Sequence, residues 1–182
     1  MKHGVRRFAR RLTILAVLLA SATPAAAAEA EDELKSVIVL NFLRYSTWPE
    51  TPPATGPLVV GVLGRPSFAR YLQASLQSKS VNGRAVRIVE LKAMSDPQCC
   101  QVIYVATDRI SEIKQTLQAV RSAHALTIGE SDAFLEYGGT VSLLLIDGHM
   151  SFEVSLEALK QSEIEISSKL LRFGQIRRRP AG

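Results

Sequence analysis

The chain has 182 residues, enough for one domain with a single core. Its formal net charge of +5 rests on Lys2, Arg6, Arg7, Arg10 and Arg11; the other 17 basic residues balance 17 acidic ones, all beyond position 28. The pI of 9.5 is thus a property of the first few residues, and nucleic-acid binding, which needs a clustered basic surface, is not expected.

The basic head is followed by nine apolar residues, Leu12 to Ala20, and by a small-residue tail, Ser21 to Ala28, with a helix-breaking Pro24 and Ala26-Ala27-Ala28 before Glu29. This three-part layout predicts a signal peptide over residues 1–28, cleaved near Ala28, and export to the periplasm. The apolar stretch is too short for an ordinary membrane span. One domain is expected over residues 29–182, with Pro49 to Gly56 as a local bend within it.

Glu29 to Thr47 reads as a helix, with Glu31, Asp32 and Glu33 near its start, where negative charge suits the dipole, and its end ahead of Trp48-Pro49. Leu34, Val37, Ile38 and Tyr45 share one face, and Val39, Leu40 and Leu43 lie towards another. A helix apolar on two faces is deeply buried or packs on a partner as well as on its own domain. Trp48 reads as a packing anchor.

Leu58 to Leu63 is a continuous apolar run, expected as a strand covered on both faces. Gly64-Arg65-Pro66 then leads into a short helix, Ser67 to Gln77, with proline in its first turn. Val86 to Leu91 and Gln101 to Thr107 read as strands, Asp108 to Ala123 as an amphipathic helix, and Ala125 to Ile128 as a further strand. The order β-α-β-β-α-β predicts an α/β fold: a single three-layer domain with a mixed, mostly parallel sheet flanked by helices. Thr140 to Ile146 and His149 to Ser155 flank Asp147-Gly148, a dipeptide favoured in tight hairpins, and predict a C-terminal hairpin on that sheet. Helical patterns at Leu156 to Gln161 and Ser167 to Arg177 close the chain, and Arg177-Arg178-Arg179 reads as a solvated tail.

Candidates for chemistry are few. Cys99 and Cys100 are adjacent, and neighbouring Cα atoms about 3.8 Å apart are closer than a disulfide prefers. Two thiols, a strained vicinal bridge acting as a redox switch and a bridge to another chain all stay open. No zinc spacing, HExxH, GxSxG or Walker loop occurs, so no metal, cofactor or catalytic residue is expected. Gly64 and Ser67 mark a strand-to-helix turn whose backbone could hold an anion.

Several strings resemble those of YfiR-family proteins: Asn41 to Pro49 (NFLRYSTWP), Cys100 to Val105 (CQVIYV), Leu126 to Glu130 (LTIGE), Met150 to Val154 (MSFEV), and Ile164 to Arg172 (IEISSKLLR). They occur in the family's order across nearly all of the chain after residue 28. The resemblance implies a periplasmic, non-catalytic regulatory binding protein, similar to inhibitors that hold the periplasmic sensor region of an inner-membrane diguanylate cyclase, lowering cyclic-di-GMP and biofilm formation, and able to form homodimers. It also implies a redox-active cysteine at Cys100, but the family's bridging partner falls near Gly61 and the later cysteine pair is absent, which puts a normal intrachain bridge in doubt. Ser155 stands where many members carry Asn. The expected association surface is the outward side of the first helix, Val39, Leu40 and Leu43, with Cys99 and Cys100 as candidate redox residues. The alternatives are a periplasmic small-ligand-binding protein using the turn at Gly64 and Ser67, or a thiol redox protein.

Overall fold

The computed structural model describes residues 24–49, 56–92, 100–131, 133–146 and 149–177. Helix α1 (Pro24–Tyr45) leads into a two-residue strand β1 (Ser46–Thr47). Strand β2 (Leu58–Leu63), helix α2 (Pro66–Leu76), strands β3 (Ser80–Val81), β4 (Arg84–Leu91) and β5 (Val102–Val105), helix α3 (Ile110–Ala119) and strand β6 (Leu126–Gly129) follow in the predicted alternation, except that the two-residue β3 is an addition the sequence pattern does not mark. The chain continues through strands β7 (Val141–Ile146) and β8 (His149–Ser155), helix α4 (Leu156–Ser162), strand β9 (Glu165–Ile166), helix α5 (Ser168–Leu171) and strand β10 (Gln175–Arg177).

One eight-stranded sheet runs in the order β10-β8-β7-β6-β5-β2-β4-β3, and β1 pairs with β9 in a separate two-stranded ribbon. From β4 to β7 every neighbouring pair is parallel. The β7–β8 hairpin is antiparallel, with Val141 opposite Val154 and Ile146 opposite His149; its Asp147-Gly148 turn lies outside the described residues. The mixed, mostly parallel three-layer reading therefore holds.

Covered on both faces, β2 is buried along its whole length. Val60, Val62, Tyr104, Ile128 and Phe152 face the layer of α1, α2 and α5. Val59, Leu63, Ile103 and Val105 face α3 through Ile113 and Leu117. The period-2 alternation of a strand sorts successive residues between these two cores. The indole N–H of Trp48 donates to the Gln101 carbonyl at 3.0 Å, pinning the chain after α1 to the start of β5.

The end of the chain differs from its sequence pattern. In place of one helix over Ser167 to Arg177, α5 stops at Leu171 and β10 pairs in parallel with β8, Ile176 beside Val154. A Cβ at Gly174 would lie 2.2 Å from the Phe152 ring, so the backbone crosses there at a distance only glycine permits. That close passage turns an apolar helical pattern into an added edge strand.

Candidate functional site

Helix α1 settles which of its two apolar faces looks inward. Val39, Phe42 and Leu43 have no exposed surface, and the Phe42 ring meets Phe152 edge-on at 5.1 Å. The expected association surface is corrected here: Val39 and Leu43 belong to the core and Leu40 is half-buried. The reason is the position of Phe42, which draws its i−3 and i+1 neighbours onto the sheet. Exposure falls on the opposite stripe, Leu34 (45%), Val37 (51%) and Tyr45 (42%), with Ile38 and Asn41 partly covered between them.

Traced towards the N-terminus, the buried stripe becomes polar. Asp32, Lys35 and Ser36 continue the spacing of Val39 and Phe42 and are buried. They meet the carboxyl ends of three parallel strands. The Lys35 ammonium lies 2.7 Å from Glu130 Oε2 and 2.6 Å from Glu31 Oε1. Glu130 directly follows β6, and its other oxygen accepts a 2.6 Å hydrogen bond from the Tyr104 hydroxyl on β5. Arg65, just beyond β2, pairs with the Asp32 carboxylate and lies over the Phe68 ring, its guanidinium carbon 5.3 Å from the centroid. Phe68 in turn packs on Tyr104, ring centroids 4.7 Å apart.

Burial, and then the negative charge of Glu130, push the Tyr104 phenol far above its ordinary range. The group is a neutral donor to a carboxylate, with no capacity as a base near neutral pH. The sheet order places this cluster at a special point. The parallel strands, taken in chain order as first to fifth, lie 2-1-3-4-5 across the sheet. The crevice beyond the carboxyl ends of the first and third, β2 and β5, is where such sheets hold ligands. Here the chain fills that crevice with its own Asp32 and Lys35.

The other sequence candidates are dispersed. Gly64 lies in the left-handed region, φ +88°, and a Cβ there would stand 2.9 Å from the Ala106 carbonyl oxygen, so the turn requires glycine for close passage. Ser67 is exposed in the first turn of α2. Cys100 is buried at the amino end of β5, far along the sheet from the charged cluster. A Cβ placed at Gly61 would lie 3.0 Å from its sulfur, so the two positions face each other across β2 and β5. Cys99 lies outside the described residues.

At the amino ends of β6 and β7 an open hollow of about 370 Å³ lies between α3 and α4, over Thr127 and Thr140. The Lys114 ammonium sits 4.6 Å above the Tyr137 ring at its rim. Among the described residues no group of three or more His, Cys, Asp or Glu could hold a metal ion, and no helix is long and apolar enough to cross a membrane.

Sequence reasoning missed Asp32, Lys35, Arg65, Tyr104 and Glu130. One signal was available: Asp32 and Lys35 stand at positions that continue the Val39–Phe42 stripe, where a charged residue needs a partner when the stripe is buried.

Comparison with known proteins agrees with this architecture. A family model described as YfiR/HmsC-like matches residues 32–175. The structure is similar to a conserved domain protein from Vibrio cholerae O1 biovar El Tor, with a TM-score of 0.51 and 17% identity, over 81% of this chain. The chain spans 59% of the length of that protein. A looser likeness, TM-score 0.45 with 15% identity over 66% of this chain and 55% of the other, is to an ABC domain in complex with L-Trp from Streptococcus pneumoniae. The first likeness bears on the fold alone, and the second adds nothing to it.

Proposed function

The chain belongs to the YfiR/HmsC-like family, and from that premise we propose that it regulates by contact. It docks on the periplasmic sensor region of a membrane-bound diguanylate cyclase and holds the cyclase inactive, lowering cyclic-di-GMP and biofilm formation. The observation that carries this reading is the family match over residues 32–175, since the family acts in diguanylate cyclase signalling with a membrane partner. In this reading residues 1–28 direct export and are removed, and the protein works in the periplasm without catalysing a reaction.

The stripe Leu34, Val37 and Tyr45 is the docking surface. Three large apolar side chains at helical spacing, each more than two-fifths exposed, form a patch of the kind that anchors protein contacts. Holding a partner by differential contact is a population shift: the regulator binds the inactive arrangement of the sensor better than the active one. A signal that weakens the contact frees the cyclase. The mechanism requires no thiol chemistry, so single Cys99→Ser and Cys100→Ser changes leave it in place.

The test is affinity capture from membranes with the exported, C-terminally tagged chain. A membrane protein with a periplasmic sensor and a cytoplasmic cyclase domain should be recovered, and Val37→Asp should abolish its recovery. Absence of any such partner under both oxidising and reducing conditions overturns the reading. Recovery of a second copy of this chain alone would reassign the stripe to a homodimer interface.

A further inference from the structure

Helix α1 is held to the body by two kinds of contact, divided near its middle. In residues 37–45 the buried side chains are Val39, Phe42 and Leu43, all fully enclosed in the main core. In residues 29–36 they are Asp32, Lys35 and Ser36, and none is apolar. The Ser36 hydroxyl turns back to donate to the Glu33 carbonyl of the same helix at 2.8 Å. The side chains that tie this first half to the body do so through ion pairs, Asp32 to Arg65 and Lys35 to Glu130.

Such a tie releases more easily than an apolar one. Burying charges costs desolvation that offsets most of their attraction, so an ion pair adds little net hold when its members can return to water. The body-side partners can do so, the Glu130 side chain being 33% exposed and that of Arg65 30%. On opening, Lys35 and Asp32 regain their hydration, and no core side chain of α1 leaves its place.

We propose that residues 29–36 of α1 form a charge-latched lid over the crevice between β2 and β5, with residues 37–45 as its fixed stem. The lid swings at Ser36-Val37, where the buried stripe changes from polar to apolar. Opening uncovers Arg65, Tyr104 and Glu130 at the carboxyl edge of the sheet. It also carries Leu34 away from Val37 and Tyr45, dismantling the exposed stripe; this regulatory consequence rests on the docking reading above, whereas the lid itself does not.

Hydrogen exchange of the full chain, followed by mass spectrometry at constant pH without a partner, tests the lid independently of docking. In the wild type, amides of residues 33–36 should exchange at least about tenfold faster than those of 40–45, as a local opening exceeds a global one. Lys35→Met should accelerate residues 33–36 by about a further tenfold. Phe42→Leu weakens the stem equally in the closed and the open-lid states, so it should accelerate 40–45, β5 and β6 and leave 33–36 nearly unchanged. Equal protection of the two halves in the wild type, no acceleration of 33–36 by Lys35→Met, or acceleration of both halves by the same factor in Phe42→Leu, overturns the proposal. If Phe42→Leu does not fold, Val39→Ala serves in its place, removing methyl groups from the same enclosed core.

Discussion

The two halves of helix α1 show how one continuous helix can be bound in two physically different ways. Its second half is an ordinary core element, with Phe42 against Phe152 and Val39 and Leu43 enclosed beside it. Its first half presents the same buried stripe with Asp32 and Lys35 on it, each met by a charged partner at the sheet edge. Apolar burial is non-directional and scales with area removed from water. Ionic burial depends on a few placed atoms and opposes its own desolvation. The lesson is that helical continuity does not imply uniform attachment, and the weaker attachment lies over the crevice where this sheet type holds ligands.

That contrast can be broken most forcefully from the stem. Phe42→Ala removes a fully buried ring and should destabilise the whole domain by about 3–5 kcal/mol, read from denaturant unfolding. Loss confined to α1, with the sheet transition unchanged, would show the stem is not part of the main core.

A staple in the body sharpens the comparison from the other side. Gly61→Cys places a second thiol opposite Cys100, since a Cβ there lies 3.0 Å from that sulfur. Oxidation should close a bridge worth about 3–4 kcal/mol for a loop of this length. The cost of moving the Leu91 side chain, 2.5 Å from the new Cβ, comes off that gain. The stem should exchange more slowly when the bridge is closed and the first half should not. Slowing of both would mean that they open only with the global unfolding of the domain.

Lys35→Met should cost about 1–2 kcal/mol in equilibrium unfolding, below the 3–5 typical of a stranded buried charge, because Glu130 reaches water. A cost above that range would place the first half in the cooperative core.

Tyr104 supplies a pH test with a definite sign. Its folded pKa is raised, so above about pH 10 the unfolded chain loses a proton that the folded chain retains, and stability falls as pH rises. The slope attributable to this group is at most about 1.4 kcal/mol per pH unit. Tyr104→Phe should remove that part of the alkaline decline while leaving the acid side unchanged. An identical alkaline profile in the two proteins would show that the hydroxyl is hydrated in the fold.

The smallest effect belongs to the outer stripe. Val37→Ser should change stability by no more than about 0.5 kcal/mol, since the side chain is half exposed and opposite the core. A larger loss would mean that this face already packs on something within the protein.

Much of the architecture was legible because strand and helix periods are local. The all-apolar run Leu58 to Leu63 announced a strand covered on both faces, and β2 is buried throughout. The Asp147-Gly148 dipeptide marked the junction of β7 and β8, which do pair antiparallel. The tail was misread because its apolar spacing fits a helix equally well, and the close passage of Gly174 over Phe152 is a contact between distant residues. The charged cluster was illegible for the same reason: Glu130 lies 95 residues from Lys35, and the LTIGE string that ends on Glu130 does not say which residue it meets.

The sequence by itself determined that α1 has two apolar faces, that the chain alternates strand and helix patterns, and that no familiar catalytic or metal motif is present. The tertiary structure alone decided which face of α1 is enclosed, enclosing Val39 and Leu43 and leaving Leu34, Val37 and Tyr45 in solvent. It also decided that Asp32 and Lys35 are buried against Arg65 and Glu130. The physical reason is that periodicity fixes which residues share a face, whereas the face that loses its water is chosen by the sheet it meets.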